Sequence, residues 1–256
     1  MQLGSIHIFP IKSLDGVVRS QAAVTPGGIL EHDRAYAIFD REGRVVNGKR
    51  SARVHEVRCD FDDAIREVRL WHAGDPAPAQ FPLDDPAPIE HWLAGFFGIG
   101  VELRHEPVKG FPDDQKAFGP TIVSEASLRE IQGWFPELSL AGVRRRFRAN
   151  LELLDAEPFG EDRLFGPPGA LLPFQIGAVH LLGHNPCQRC VVPTRDPDTG
   201  QPAAEFQKNF MARRHQSLPA WANAARFNHF YRLAVNTSIS PGEAGKILRV
   251  GDRVRF

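Results

Sequence analysis

Two cysteines three positions apart, Cys187 and Cys190, form the most distinctive chemical pair in the sequence. Arg189 lies between them, and a neighbouring guanidinium favours the thiolate, which is the nucleophilic and metal-binding form of cysteine. Thiolates are soft ligands, so the pair favours a soft or high-valent transition metal over calcium or magnesium. The spacing alone leaves three alternatives open: a zinc site completed by His180 and His184, a redox pair, or two inert buried cysteines.

The residues after the pair bear on the redox alternative. Val191 and Val192 are β-branched and predict that a strand over residues 190–194 leads away from the cysteines. A thioredoxin-like pair would open a helix instead. The third cysteine, Cys59, belongs to no motif, and we expect it to pack inside a strand of the N-terminal portion.

Basic residues near the N-terminus are candidates for binding an anion. Lys12 and Ser13 follow the first predicted strand, in a turn that can expose backbone N–H groups. Arg34 is predicted to begin a strand, and an arginine can hold a phosphate or a carboxylate through two parallel hydrogen bonds. The alternative for Arg34 is an ion pair with Asp33 or Glu31.

The densest run of positive charge lies at residues 144–148, where four of five residues are arginine. A strand predicted over residues 146–154 would place Arg148 and Asn150 on one face, because alternate residues of a strand share a face. Arg144, Arg145 and Arg146 are interpreted either as a solvated strand edge or as a surface that attracts an acidic protein. A nucleic-acid site would need further basic and aromatic faces.

Short strands dominate the predicted elements. They are strands near residues 6–8 and 17–24, a strand at 34–39 followed by a turn at 40–43, a hairpin of 54–61 with 64–71, a proline-rich connection at 75–88, a helix at 89–97, a helix capped by Ser124, strands at 146–154, 175–182 and 190–194, two short helices within 206–225, and final strands within 227–235 and 246–256. This pattern predicts a mainly β fold made of barrels rather than an alternating βα sheet.

Composition narrows the class of protein. A chain of 256 residues with 42% apolar residues can bury a core of one or two domains. Lysine and arginine total 31 and are balanced by 31 acidic residues, which argues against a nucleic-acid binder. Three cysteines cannot form a disulfide framework, so a reducing compartment is expected. Residues 1–10 do not resemble a secretory signal and no apolar run is long enough for a membrane span, so we expect a cytoplasmic protein with no membrane partner.

Six segments in order resemble one known family. They are Pro-Ile-Lys-Ser at residues 10–13, Asp-Arg-Ala-Tyr at 33–36, Ser-Glu-Ala-Ser-Leu at 124–128, Arg-Phe-Arg-Ala-Asn at 146–150, Arg-Cys followed by Asp-Pro-Asp-Thr-Gly at 189–200, and the closing stretch at 247–254. Together they resemble the MOSC domain, the C-terminal module of molybdenum cofactor sulfurases, and especially the branch that includes the mitochondrial amidoxime-reducing component.

The resemblance implies a fold and a set of site residues. It implies an N-terminal β-rich, barrel-like MOSC-N domain over residues 1–115 and a MOSC β-barrel over 116–256, with a molybdenum cofactor (molybdopterin with molybdenum) enclosed between them. Cys190 would be the catalytic residue and the protein ligand to the metal, whereas Cys187 would not be a ligand. The residues implied to hold the cofactor are Lys12, Ser13, Arg34, Arg148, Asn150 and Arg189.

The resemblance also implies an activity. The chain would be a molybdenum-dependent oxidoreductase that reduces small N-hydroxylated or N-oxide compounds without pyridoxal phosphate. Three cysteines are too few for an iron–sulfur cluster beside the metal ligand, and no dinucleotide-binding glycine motif is present. Electrons would therefore come from a separate protein of ferredoxin, flavodoxin or cytochrome type. The alternative is a non-catalytic carrier of the cofactor or of sulfur, with a persulfide on Cys190.

One segment departs from the family pattern. Relatives commonly carry an acidic residue shortly before the Ser-x-Ala-Ser-Leu segment, but residues 115–121 contain none. Asp113 and Asp114 lie slightly earlier in the chain, and the sequence assigns neither of them to the site.

Overall fold

Fifteen strands and four α-helices make up the fold in the computed structural model, which describes residues 1–256. The strands are β1 (Gln2–Ile8), β2 (Val17–Arg19), β3 (Gln21–Ala23), β4 (Tyr36–Asp40), β5 (Arg58–Phe61), β6 (Glu67–Trp71), β7 (Ala79–Pro82), β8 (Val101–His105), β9 (Ile122–Ser124), β10 (Leu151–Leu154), β11 (Leu172–Ile176), β12 (Val179–Gln188), β13 (Arg232–Ile239), β14 (Ile247–Arg249) and β15 (Val254–Arg255). The helices are α1 (Pro86–Phe97), α2 (Glu125–Trp134), α3 (Leu140–Phe147) and α4 (Phe206–Gln216). The fold is mainly β, as predicted.

The largest sheet contains eight strands in the order β15-β11-β12-β13-β9-β10-β1-β2. Only β9 and β10 pair in parallel, and every other neighbouring pair in this sheet is antiparallel. Strand β1, at the N-terminus, thus lies among strands of the C-terminal half. An isolated bridge between Gln2 and Arg253 also brings the start of β1 next to β15, although no ladder of paired strands closes the sheet.

Three smaller sheets surround the large one. They are the pair β4-β8, the pair β3-β14 and the three-stranded sheet β5-β6-β7. Helix α1 covers this part of the fold and begins at Asp85, whose side chain accepts a hydrogen bond from the backbone N–H of Ala87. It ends at Gly98, which has φ of 71°, a conformation that glycine adopts without strain. Its buried residues Ile89 and Leu93 lie four positions apart on one face, as predicted.

The buried residues form two hydrophobic clusters. The larger cluster extends from β1 through the N-terminal sheets to β12 and β14, and it includes Cys59 on β5, as expected. The smaller cluster packs α2, α3 and α4 together through aromatic rings, with Phe147, Phe206 and Phe210 at its centre. The end of α3 is therefore fixed in place by packing.

The strand predicted over residues 146–154 is wrong in its first half. Ser139 caps α3 by accepting a hydrogen bond from the backbone N–H of Gly142 (3.0 Å), and Val143 and Phe147 are buried four residues apart, which is a helical spacing. Arg148 ends the helix with φ of 51°, and β10 begins only at residue 151. The arrangement of Arg148 and Asn150 on one strand face is therefore also wrong.

Five further segments differ from the predictions. Residues 192–194 form a short 3₁₀ helix instead of a strand, since Pro193 lacks the N–H that a strand ladder requires. Residues 175–182 bend at Gly177 into a hairpin between β11 and β12. The proline-rich connection contains β7, and residues 52–56 are a 3₁₀ helix preceding β5. Arg34 precedes β4 in a turn with φ of 52° rather than opening a strand.

None of the four helices combines the length and the apolar character needed to cross a membrane.

Candidate functional site

A cavity of about 700 Å³ lies where residues 12–57 and 109–121 meet the end of α3, the end of β12 and the start of β13. All seven residues predicted for the site line this cavity: Lys12, Ser13, Arg34, Arg148, Asn150, Arg189 and Cys190. The fold thus brings together side chains that come from both halves of the sequence. A volume of this size suits a ligand as large as a drug or a cofactor.

The cavity is strongly basic although the whole chain is neutral. Eleven basic residues line it: Lys12, Arg34, Lys49, Lys109, Lys116, Arg145, Arg146, Arg148, Arg189, Arg195 and Arg232. Only four acidic residues do so: Asp15, Asp33, Asp113 and Asp114. Clefts lined by one sign of charge concentrate ligands of the opposite sign, so the lining of this cavity favours an anionic ligand.

Arg148 faces the cavity without an ionic partner. Its guanidinium stacks on the ring of Phe9 at 4.1 Å, and its side chain makes no hydrogen bond to the protein. Burial, reinforced by the nearby charge of Arg34, lowers the pKa of Arg148 to about 10. Desolvating an arginine without a counter-charge is costly, so this position favours an anionic ligand.

Arg34 and Asn150 are held by their neighbours. The Arg34 guanidinium pairs with Asp33, and its Nη1 also donates to Oδ1 of Asn150 at 3.3 Å. Burial acts to lower the pKa of Arg34, but the carboxylates of Asp33 and Asp113 outweigh it and raise this pKa. The Asn150 amide additionally accepts from Thr121 and donates to the His7 carbonyl at 3.0 Å. Asn150 therefore orients the backbone and Arg34.

Lys12 connects the first strand to the acidic loop that precedes β9. Its Nζ donates to the carbonyls of Phe111 (2.7 Å) and Pro112 (3.1 Å) and lies 3.0 Å from Asp113. Burial lowers the pKa of Lys12, whereas Lys12 and Arg34 hold the pKa of Asp113 well below its usual range against the effect of burial. Ser13 follows in a left-handed turn with φ of 77°. Asp113, which the sequence left unassigned, is thus an ionised part of the site.

Cys187 and Cys190 both line the cavity, and all three cysteines of the chain are free thiols. Nη1 of Arg189 donates to Sγ of Cys187 at 3.3 Å, and its Nη2 donates to the carbonyl of Phe147 at the end of α3. The arginine between the cysteines therefore contacts Cys187 and ties the cysteine segment to α3. Cys190 lies just beyond β12, before the 3₁₀ helix.

The zinc alternative is not supported by the structure. His184 contacts Ser238 at 2.8 Å, and His180 contacts Glu243 at 3.3 Å, so neither ring joins the cysteines. No group of three histidine, cysteine or acidic side chains is arranged to hold a metal ion. A metal at Cys190 would need most of its ligands from a bound cofactor.

The basic run before Arg148 is not a free surface. Arg144 pairs with Glu152 at 2.8 Å, Arg145 pairs with Asp198 at 2.8 Å, and the buried Arg146 donates to the carbonyl of Pro193 at 3.0 Å. The solvated strand edge is therefore wrong, because these residues form the last turn of α3 and hold it against other segments. The run is also a poor candidate for attracting an acidic protein.

Three cavity residues carried no signal in the sequence. His55 lies on the 3₁₀ helix 52–56, and its Nε2 is buried without a hydrogen-bond partner. Burial and the charges of Arg195 and of α3 lower the pKa of this imidazole. Arg195 and Arg232 are isolated arginines in a chain rich in arginine, and only tertiary structure places them here.

Two family models together match most of the chain. Residues 1–98 match the MOSC N-terminal beta barrel domain, and residues 114–255 match the MOSC domain. The chain belongs to the MOSC-domain family, as its sequence motifs predicted.

Known proteins of similar sequence span most of the chain. It is 23% identical over 239 residues to mitochondrial amidoxime-reducing component 1 of Homo sapiens, covering 77% of this chain and 67% of that protein. It is 22% identical over 236 residues to mitochondrial amidoxime reducing component 2 of Homo sapiens, covering 77% of this chain and 68% of that protein. It is 23% identical over 236 residues to mitochondrial amidoxime-reducing component 1 of Mus musculus, covering 77% of this chain and 66% of that protein. The chain thus spans about two thirds of these relatives.

Proposed function

We propose that this protein is a molybdenum-cofactor-dependent reductase of N-hydroxylated or N-oxide compounds. The observation that carries the proposal is the unpaired, half-buried guanidinium of Arg148, which stacks on Phe9 in a basic cavity that also contains Cys190. The cofactor is an anion with a phosphate group, and it fits a cavity whose basic side chains outnumber the acidic ones. The names of the relatives supply the reaction class.

The chain's own residues would divide the work of holding this group. Arg34 and Arg148 would bind its phosphate, with Lys12 adding positive charge and Ser13 placing a turn at the cavity wall. Asp33 and Asn150 keep Arg34 in position through their hydrogen bonds. Cys190 would be the protein ligand to the metal, with Arg189 fixing its segment to α3. When bound, the cofactor supplies two-electron oxygen-atom transfer.

Electrons would reach the site from a separate redox protein of ferredoxin, flavodoxin or cytochrome type. The chain has three cysteines, fewer than the four that an iron–sulfur cluster usually takes. It also lacks a glycine motif for a nicotinamide or flavin dinucleotide. We also propose a cytoplasmic location, on the ground that the three cysteines are free thiols.

Turnover by the loaded protein tests this proposal. Protein made in a host that synthesises the cofactor should reduce benzamidoxime to benzamidine with reduced viologen as donor, and it should be inactive with NADH or NADPH alone. Robust turnover with NADH would show that the chain holds a dinucleotide site. A persulfide on Cys190, seen by mass spectrometry in protein that reduces nothing, would instead favour the sulfur carrier.

A further inference from the structure

Several basic side chains in the cavity remain without an acidic partner after the cofactor residues are assigned. Lys109, Lys116, Arg195 and Arg232 line the cavity, and none of them forms an ion pair with a carboxylate of this chain. Lys109 and Lys116 are exposed to solvent, whereas Arg195 and Arg232 are half-buried. Removing an uncompensated positive charge from water is unfavourable, which favours a second source of negative charge beyond the single phosphate of the cofactor.

Arg232 is the best placed of these residues. It begins β13, and its Nη1 and Nη2 donate to two uncharged oxygens, the Pro186 carbonyl (2.8 Å) and Oδ1 of Asn228 (2.7 Å). Its Nε is buried without any hydrogen-bond partner, and burial lowers the pKa of this arginine. The side chain is therefore fixed in the cavity wall with its charge uncompensated.

Lys116 lines the same cavity from a different segment and is exposed to solvent. Residues 113–119 are tied to β13, because Gly119 donates its N–H to the Thr237 carbonyl (2.9 Å) and Asn236 donates to Oδ2 of Asp114 (3.4 Å). The other oxygen of Asp114 accepts from the backbone N–H of Lys116 at 2.9 Å. Asp114 is thus occupied in shaping the loop, and the Lys116 ammonium forms no ion pair.

We propose that the substrate of this site carries a carboxylate, which binds to Arg232, while Lys116 adds positive charge to the same cavity. The inference rests on the proposed reductase function, and it specifies the class of N-hydroxylated compound that the enzyme prefers. Each terminal nitrogen of a guanidinium carries two N–H groups, so Arg232 keeps donors for a carboxylate after its contacts to Pro186 and Asn228. A neutral compound would leave the charge of Arg232 without a partner, and a cationic one would be repelled by it.

Two test substrates differ only by the group in question, namely benzamidoxime and 4-carboxybenzamidoxime. With reduced viologen as donor, kcat/KM should be about tenfold or more higher for the acid, the size expected of one charge-assisted contact. This preference should shrink as salt is added, since exposed charges are screened. Arg232→Gln and Lys116→Gln should each lower the ratio of the two kcat/KM values. The exposed Arg66→Gln and Lys208→Gln variants should keep the wild-type ratio.

A binding measurement separates this inference from the proposed function. Calorimetry should show 4-carboxybenzamidine binding about tenfold or more tightly than benzamidine to the loaded protein. Turnover of benzamidoxime without a preference for the acid would overturn the carboxylate site and leave the reductase proposal intact. Tighter binding of the acid in a protein that reduces neither oxime would support the site and contradict the reductase. Equal binding of the two amidines would overturn the carboxylate site.

Discussion

Arg148 owes its position to a backbone conformation that arginine rarely adopts. Its φ of 51° ends α3 in the left-handed region and turns the guanidinium back over Phe9. Such a conformation costs a non-glycine residue about 1 kcal/mol or more and is often retained at functional sites. The strain and the missing counter-charge both support the proposal that this residue binds an anion.

Replacing Arg148 by glycine distinguishes an effect on cofactor binding from an effect on folding. Arg148→Gly removes the charge but relieves the backbone strain, so the melting temperature should not fall substantially. Loss of a charge-assisted contact to a buried anion costs about 1.5–3 kcal/mol, so pterin retention after purification should fall about tenfold or more. Arg129→Ala, an exposed arginine on α2 outside the cavity, is the control. Wild-type pterin content in Arg148→Gly would show that Arg148 does not hold the cofactor.

A second substitution experiment distinguishes the roles of Cys190 and Cys187. Cys190→Ala should abolish the reduction of benzamidoxime, because it removes the proposed metal ligand. Cys187→Ala should retain most activity, and so should Cys59→Ala, which changes a buried core residue away from the cavity. Unchanged folding of each variant is checked by its melting temperature. Full activity in Cys190→Ala would refute its assignment as the ligand.

Sequence motifs located only some of the site residues. Arg34, Arg148 and Cys190 belong to short contiguous motifs, and all of them line the cavity. His55 and Arg232 come from segments with no motif of their own, and only the packing of β13 and the 3₁₀ helix 52–56 brings them there. Motif spacing reports local chemistry, whereas residues contributed singly from distant elements need the tertiary fold.

The predicted helix and strand boundaries are wrong where two elements meet at the site. The β-branched Val191 and Val192 indicated a strand, but Pro193 cannot complete a strand ladder and the segment forms a 3₁₀ turn. The alternating pattern after Arg146 concealed the end of α3, whose buried face is fixed by the aromatic cluster. Helix α1 was predicted from its apolar spacing and helix α2 from its capping residue Ser124, and both signals are local.

A buried charge cluster joins α2, the 3₁₀ helix 160–164 and α4. Glu161 is fully buried and accepts from the Ser127 hydroxyl at 2.7 Å, and its other carboxylate oxygen has no partner. Asp162 pairs with the buried Arg214. Burial raises the pKa of Glu161 and raises that of Asp162 to about 7, since one arginine cannot compensate two carboxylates. The folded cluster therefore retains a proton at mildly acidic pH.

This retained proton makes stability depend on pH. An unfolded glutamate loses its proton near pH 4.3, whereas the folded cluster keeps one up to about pH 7. The free energy of unfolding contributed by the cluster is therefore present at low pH and falls as pH rises through this window, by up to about 1 kcal/mol per pH unit. Glu161→Gln resembles the protonated form, so the variant should gain stability relative to wild type between these limits.

Chemical denaturation at several pH values measures this difference. Glu157→Gln is the matched control, because Glu157 is an exposed neighbour that pairs with Arg163 on the surface. Its difference from wild type should not change across the same window. A constant difference between Glu161→Gln and wild type over this range would contradict the retained proton.

At the scale of the whole molecule, the two halves of the chain share structure. Strand β1 lies between β2 and β10 in the large sheet, and the larger hydrophobic cluster contains residues from both halves. Asp198 also joins them, since it pairs with Arg58 of β5 and with Arg145 of α3. The cavity therefore exists only when both halves are assembled.

Separate production of the two proposed domains tests this interdependence. Residues 116–256 alone should lack a cooperative thermal transition, because removing β1 exposes one side of β10 and its apolar face. Adding residues 1–115 in trans should restore a cooperative transition. Near-UV circular dichroism follows both samples. A fragment 116–256 that melts cooperatively by itself would show that β1 is dispensable for the MOSC domain.

The molybdenum and pterin content of the purified chain shows directly whether the cavity holds the cofactor. Protein made in a host that synthesises the cofactor should contain about one molybdenum atom and one pterin per chain by elemental analysis and fluorescence of the released pterin, since one cavity would hold one cofactor. Wild-type protein that is folded but carries neither molybdenum nor pterin would show that this chain is not a molybdenum-cofactor protein.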